Sequence, residues 1–366
     1  MLRQSARALL ERECPSAHVR QMMDDERGYS LELWRKIAEL GWLGLVLPED
    51  CGGAGLSYVD LAVVAEEMGR VLLPSPFIWT LMFAEAVRRA GSEEHKRRLL
   101  PAIARGEVVA TIAHLEAGGS WEKSGIAMTA RKSGAGFVLK GDKLFVNDAH
   151  VADYLLVAAR TGGKRSDAIS LFAIDAHRPG ITINALKTMD QTRKLGEVQF
   201  RGVKASAAEL VGPIGEGWDV LAAAIDRAKV ALAAEMMGGA QRVLETAVEY
   251  SKVRQQFGRP IGSFQAIQHK CANMMVDVEG AKSAVYYAAW AVSNDAADAS
   301  LAAAVAKAAA SDAYRRTTAE GIQIHGGIGF TWEHDMHLYF KRAKSSEFTF
   351  GDATFNRELV ARGIGL

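Results

Sequence analysis

Between residues 217 and 291 the apolar positions recur every three or four residues: Leu221, Ile225, Ala228 and Leu232, then Val243, Ala247 and Tyr250, and again Ile267, Cys271, Met274, Val278, Ala281 and Val285. That period gathers them on one stripe, so the segment predicts two long helices joined through VRQQFGRPIGSFQ. From residue 1 to 106 the pattern is also helical. Ser30 is placed to cap SLELWRKIAELGWLG, whose apolar face is Leu31, Trp34, Ile37 and Ala38 before Gly41 ends it. Ser57 and Asp60 open SYVDLAVVAEEMGRVLL as a capping box, and Pro74 stops it. From Val108 the period shortens to two. VVATIAHL, GFVLKGDKLFV, YLLVAAR, AISLFAID, GITINAL and GEVQFRGV read as strands, punctuated by Gly134, Gly136, Gly141, Gly162, Gly163 and Pro179. From Pro213 to FNRELVARG helical spacing returns. Three domains are expected: helical over 1–106, β over 107–211 and helical over 212–366.

Composition narrows the class. A chain of 366 residues with 49% hydrophobic content can bury a sizeable core. Its 44 basic and 43 acidic residues leave a net charge of +1, too little to draw nucleic acid or an anionic membrane without local contacts. Cys14, Cys51 and Cys271 lie far apart with no CxxC, which argues against a disulfide framework and for a reducing, cytoplasmic setting. The runs VLAAAI and LAAAVAKAAA are too short to span a bilayer, and Glu11 and Glu13 spoil a transit-peptide reading of the first residues.

Two segments carry candidate chemistry. VRQQFGRPIGSFQ sets a cation (Arg254), a ring (Phe257), a permissive glycine (Gly258) and amides (Gln256, Gln265) in one turn, a mixture suited to a nucleotide's phosphates and base. QIHGGIGFTWEHD follows an alanine-rich helix, so Gln323, Gly326 and Gly327 by themselves read as a helix C-cap with a tight exit. LPEDCGGAGLS follows a helix, not a strand, and reads as a glycine-rich turn. His334 and His337, with Asp335, can share a helix face, but without further ligands no metal is expected. Phosphate-loop, serine-hydrolase and zinc-protease motifs do not occur.

Helix, sheet, helix is an uncommon order, and with the motifs RxxFG, QxxGGxG and PExxGGxG it resembles the acyl-CoA dehydrogenases over nearly the whole chain. The resemblance implies an α+β fold: an N-terminal helical domain, a small middle β-barrel or sandwich, and a C-terminal four-helix bundle. It implies FAD as cofactor, an acyl-CoA substrate, electron-transfer flavoprotein as acceptor and an oligomer, either of one chain or with a second dehydrogenase-like subunit. Arg254, Phe257, Gln265, Gln323, Gly326 and Gly327 would then touch the adenosine half of FAD across a subunit interface. The family loop LTEPxAGSD is AHLEAGGSW here, and WITN is FVND, so His114, Ser120 and Asn147 are expected along the isoalloxazine ring.

Removing the α-proton of a thioester needs a carboxylate aimed at Cα. At the family's two glutamate positions this chain has Phe350, in FTFGDAT, and Ala228, in AAIDRAKVALAAE. Three accounts follow: Asp352 acts from a shifted position; Glu235, about 10 Å along the same helix from Ala228, acts poorly; or the base belongs to a partner subunit. The rival classes are a silent FAD-donating partner and a flavin oxidase or monooxygenase on the same fold.

Overall fold

The computed structural model describes residues 1–162 and 167–366; Gly163, expected as strand punctuation, lies outside the described residues. The first helices are α1 (Leu2–Glu13), α2 (Ser16–Asp24), α3 (Leu31–Glu39), α4 (Tyr58–Arg70), α5 (Phe77–Ala90) and α6 (Glu93–Ala104). The strands are β1 (Ala110–Ala113), β2 (Thr129–Ser133), β3 (Gly136–Asn147), β4 (Tyr154–Arg160), β5 (Ile169–Asp175), β6 (Ile181–Leu186), β7 (Leu195–Ser206) and β8 (Leu210–Val211). Then come α7 (Gly217–Val253), the short pair β9 (Gln255–Gln256) and β10 (Arg259–Pro260), and helices α8 (Gln265–Ser293), α9 (Ala299–His325), α10 (Met336–Phe348) and α11 (Ala353–Gly363). Two compact units result, one of Met1–Gln21, Ser57–Leu73 and Lys229–Leu366, the other of Met22–Leu56 and Pro74–Ala228.

In the second unit the strands form one sheet in the order β6-β7-β3-β2-β4-β5-β8, with β1 parallel to β4. Its covered face packs Phe137, Leu139, Leu155, Val157, Phe172, Ile174, Val198 and Phe200. Phe137 and Phe172 meet edge to face at 5.3 Å. Helix α3 is capped by Ser30, whose hydroxyl accepts from the Leu33 amide at 3.2 Å. Its buried face is Leu33, Trp34, Ile37 and Ala38; Leu31, expected on that face, sits in the first turn and is exposed. Helix α5 is buried along most of its length, and its one buried acid, Glu85, pairs with Arg88 (2.8 Å) and with the buried Arg227 of α7 (3.0 Å).

In the first unit, α4 and α7 cross with backbones nearly touching. A Cβ on Gly69 would lie 1.8 Å from the Glu235 carbonyl oxygen, and one on Gly238 would lie 1.8 Å from that of Glu66. Only glycine permits this reciprocal approach. The capping box of Ser57 and Asp60 forms as the sequence predicts. The α4 helix ends at Arg70, three residues before its turn completes at Leu73, because Leu72 takes a left-handed backbone (φ 54°). No helix among the described residues is long and apolar enough to cross a membrane, and Cys14, Cys51 and Cys271 are free thiols.

Candidate functional site

One end of the helical unit gathers both predicted nucleotide motifs. Tyr250, near the end of α7, stacks on His325, the last residue of α9, at 4.4 Å and 21°. Lys270 in α8 pairs with Glu320 in α9. These contacts bring the β9–β10 turn and the start of α8 beside the α9 exit. Arg254, Phe257, Gln265, Gln323, Gly326 and Gly327 are all exposed there, and Phe257 is 91% exposed with a left-handed backbone (φ 52°). An aromatic ring held in that conformation and turned to solvent is a strained feature of the kind that collects at binding sites. Arg259 is fixed above Phe264 at 4.1 Å, and Arg254 stands at the base of the hairpin, its carbonyl accepting the Ile261 amide at 2.8 Å. Gly326 closes α9 with φ 63°, the expected C-cap.

The second cluster lies where β1 ends beside β3. The Leu144 amide donates to the Leu115 carbonyl at 2.9 Å, and a bulge between Lys143 and Val146 turns Phe145 outward with φ 55°. Beneath it, the fully buried Lys143 ammonium donates to the His114 carbonyl (3.0 Å) and to Glu116 (2.7 Å). Glu116 in turn accepts the Ala127 and Met128 amides, at 2.9 and 3.0 Å, and so pins the loop that carries Ser120. Burial holds the Lys143 pKa below the usual lysine range, against the pull of Glu116. The His114 ring is 3% exposed. It stacks on Trp121 (5.5 Å, 12°) and leans on Trp218 (6.1 Å, 38°). Neither ring nitrogen has a well-formed hydrogen bond, although the Trp121 backbone faces the ring. Burial, reinforced by Lys143, pushes the His114 pKa down to about 3, so the imidazole is neutral. Asn147 is nearly buried, and the Ser120 hydroxyl accepts the Glu122 amide at 3.2 Å.

Phe350 is 1% exposed with φ 60°, and Ala228 is 4% exposed. Asp352 caps α11, its carboxylate accepting the Phe355 amide at 2.8 Å. Glu235 is buried in an ion pair with Arg342 at 2.7 Å. The loop 349–352 is tied from below by Lys307, whose buried ammonium donates to Ser311 Oγ (2.9 Å), the Glu347 carbonyl (3.0 Å) and the Gly351 carbonyl (3.1 Å). Lys307 and Trp218 were not marked as site residues by the sequence, and Trp121 stood out there only as a departure at the aspartate position of the family loop. Nor do His334 and His337 share a helix face: α10 begins at Met336, His334 precedes it, and Asp335 pairs with Arg20 at 2.9 Å. Among the described residues no group of three or more candidate ligands gathers for a metal.

Three family models match successive parts of the chain. The acyl-CoA dehydrogenase N-terminal, middle and C-terminal domain models match residues 1–107, 112–203 and 215–365. The acyl-CoA dehydrogenase IpdE2 of Mycobacterium tuberculosis is 35% identical over 347 residues, 94% of this chain and 91% of that protein. The ChsE4-ChsE5 complex from Mycobacterium tuberculosis superposes with a TM-score of 0.90 at 30% identity, covering 99% of this chain and 96% of that one. The Tcur3481-Tcur3483 steroid acyl-CoA dehydrogenase superposes with a TM-score of 0.89 at 32% identity, covering 99% and 96%. The chain therefore belongs to the acyl-CoA dehydrogenase family. Its class is that of FAD-dependent oxidoreductases acting on acyl-CoA thioesters. The residues suit the cofactor. Two buried imidazole nitrogens without a well-formed hydrogen bond are suited to the N–H and C=O edge of a flavin, and the exposed cation, ring and amides are suited to an adenine nucleotide.

Proposed function

We propose that this chain is the subunit without a catalytic base in a heteromeric acyl-CoA dehydrogenase, and that it lends its exposed helix-end motifs to FAD shared with a neighbouring subunit. The observation that carries the reading is the pair of sealed apolar side chains, Phe350 and Ala228, at the two places from which the family aims a glutamate. Neither can hold a proton, and the nearby acids Asp352 and Glu235 are engaged in a cap and an ion pair. Bound FAD supplies the acceptor for the β-hydride. In this chain Arg254, Phe257, Gln265 and Gln323 would hold its phosphates and base, and Gly326 and Gly327 would let the backbone come close. His114, Ser120 and Asn147 would lie along the isoalloxazine ring. The partner contributes the carboxylate, electron-transfer flavoprotein takes the electrons, and the assembly works in the cytoplasm. Similarity to a steroid dehydrogenase supports a bulky, ring-bearing acyl group as substrate.

The test is a flavin spectrum of the chain purified alone, followed by anaerobic addition of acyl-CoAs. The expected result is an oxidised band that does not bleach until the partner subunit is added. Bleaching by the chain alone overturns the reading; loss of that bleaching in Asp352→Asn then makes Asp352 the base.

A further inference from the structure

A buried imidazole with neither nitrogen in a well-formed hydrogen bond is costly. Each unmatched polar atom forfeits about 1–3 kcal/mol relative to water, so a residue kept this way has either a packing reason or an absent partner. Packing alone is a poor reason, because an apolar side chain of the same size fills the space without that cost. The surroundings of His114 are also specific. Trp121 comes from the loop after β1, where the family pattern has an aspartate, and Trp218 from the first turn of α7. Both indoles pack against the imidazole, Trp121 stacked and Trp218 tilted. The charged groups facing it are Lys143 of β3, bonded to its carbonyl, and Glu116, which neutralises that lysine. Only the Trp121 backbone draws a proton onto the ring, and burial together with Lys143 outweighs it.

We propose that Trp121 and Trp218 are positioning residues that clamp His114 as a neutral, orientationally fixed hydrogen-bonding partner for the flavin ring. The inference rests on the FAD assignment above and adds the device that fixes the donor. A neutral imidazole offers one N–H and one lone pair and brings no charge to the flavin. It can therefore orient the ring without coupling flavin binding to pH. Opening one side of the clamp admits water, lets His114 take a proton in the ordinary range, and makes the flavin environment depend on pH.

The experiment follows His114 by NMR in the full-length chain, using histidine-labelled protein and His114→Gln for assignment, with the visible flavin band recorded over the same pH series. In the wild-type chain His114 should stay flat between about pH 5 and 8. In Trp121→Ala it should titrate with a midpoint moved up toward about 6.5, and the flavin band should shift through the same midpoint. Trp121→Phe should restore the flat profile. Trp218→Ala and Trp218→Phe give an independent pair if Trp121→Ala does not fold. A His114 that titrates in the wild type, or stays flat in both alanine variants, overturns the clamp. A wild-type chain that gains full activity with a partner yet never binds flavin at its own sheet overturns this inference and leaves the heteromeric reading standing. Bleaching by the chain alone does the reverse.

Discussion

Lys307 is a charged group at 0% exposure whose three partners are all neutral oxygens. Burial first, and Lys229 second, press its pKa from 10.5 to about 7, while Glu347 and Asp352 pull the other way. In the unfolded chain the amine regains its ordinary value. Between these two values the unfolded state binds a proton that the folded state lacks, so stability rises with pH across the window and is lowest below it. Each pH unit inside the window is worth about 1.4 kcal/mol, so this one lysine should add about 2.5 kcal/mol between about pH 7 and 9. Lys307→Met keeps the length and removes the proton. It leaves three buried acceptors without a donor, a cost of about 1–3 kcal/mol each, offset by relief of the ammonium's desolvation. Wild type and variant are to be unfolded in urea at fixed protein concentration across that pH range, and the difference in unfolding free energy plotted. The variant's deficit should grow with pH by about 2.5 kcal/mol. A deficit that is constant, or that shrinks as pH rises, refutes the argument that a buried, uncompensated ammonium holds the 349–352 loop.

Gly238→Ala puts a methyl group 1.8 Å from the Glu66 carbonyl oxygen, so α4 and α7 must separate; a loss of about 2–4 kcal/mol is expected by thermal or urea unfolding. Removing one partner of the buried Arg342–Glu235 pair, as Glu235→Leu or Arg342→Met, should cost about 3–5 kcal/mol. The double variant should recover part of that, which a double-mutant cycle reads directly. Asp352→Ala should lose about 1 kcal/mol with the α11 cap, whereas Asp352→Asn, an equally good cap, should stay within about 0.5 kcal/mol. Under the proposed function, neither Asp352 variant changes flavin bleaching in the presence of the partner.

The helices were legible because their signals are local. Ser30, Ser57 with Asp60, and Gly326 each act within one turn of where they stand. The strand TARKS was not, since only Ala130 in it is buried and the alternation has no apolar contrast to display. Lys307 was invisible for another reason. In an alanine-rich helix a lone lysine reads as solvent-facing, yet two of its partners are backbone carbonyls 40 and 44 residues away, which no side-chain pattern announces. The same holds for His114, whose setting depends on Trp218 far along the chain. The exposure of VRQQFGRPIGSFQ was readable because a cation, a ring and glycines in one turn have little use in a core.

The 349–352 loop explains how a catalytic acid can go while its frame stays. Gly351 has φ 85°, and a Cβ there would strike the Phe355 ring at 2.1 Å, so its conformation requires glycine. The Asn356 amide donates to the carbonyls of Phe350 (3.2 Å), Gly351 (2.9 Å) and Asp352 (2.9 Å), and Lys307 adds a further bond to Gly351. Every one of these restraints acts on backbone atoms, and none consults the side chain at 350. The loop's shape is thus independent of the residue that family members use for chemistry. A buried glutamate at that point carries a desolvation cost; phenylalanine carries none and fills the space. Under the proposed function, in which a partner subunit provides the carboxylate, stability favours phenylalanine at that point.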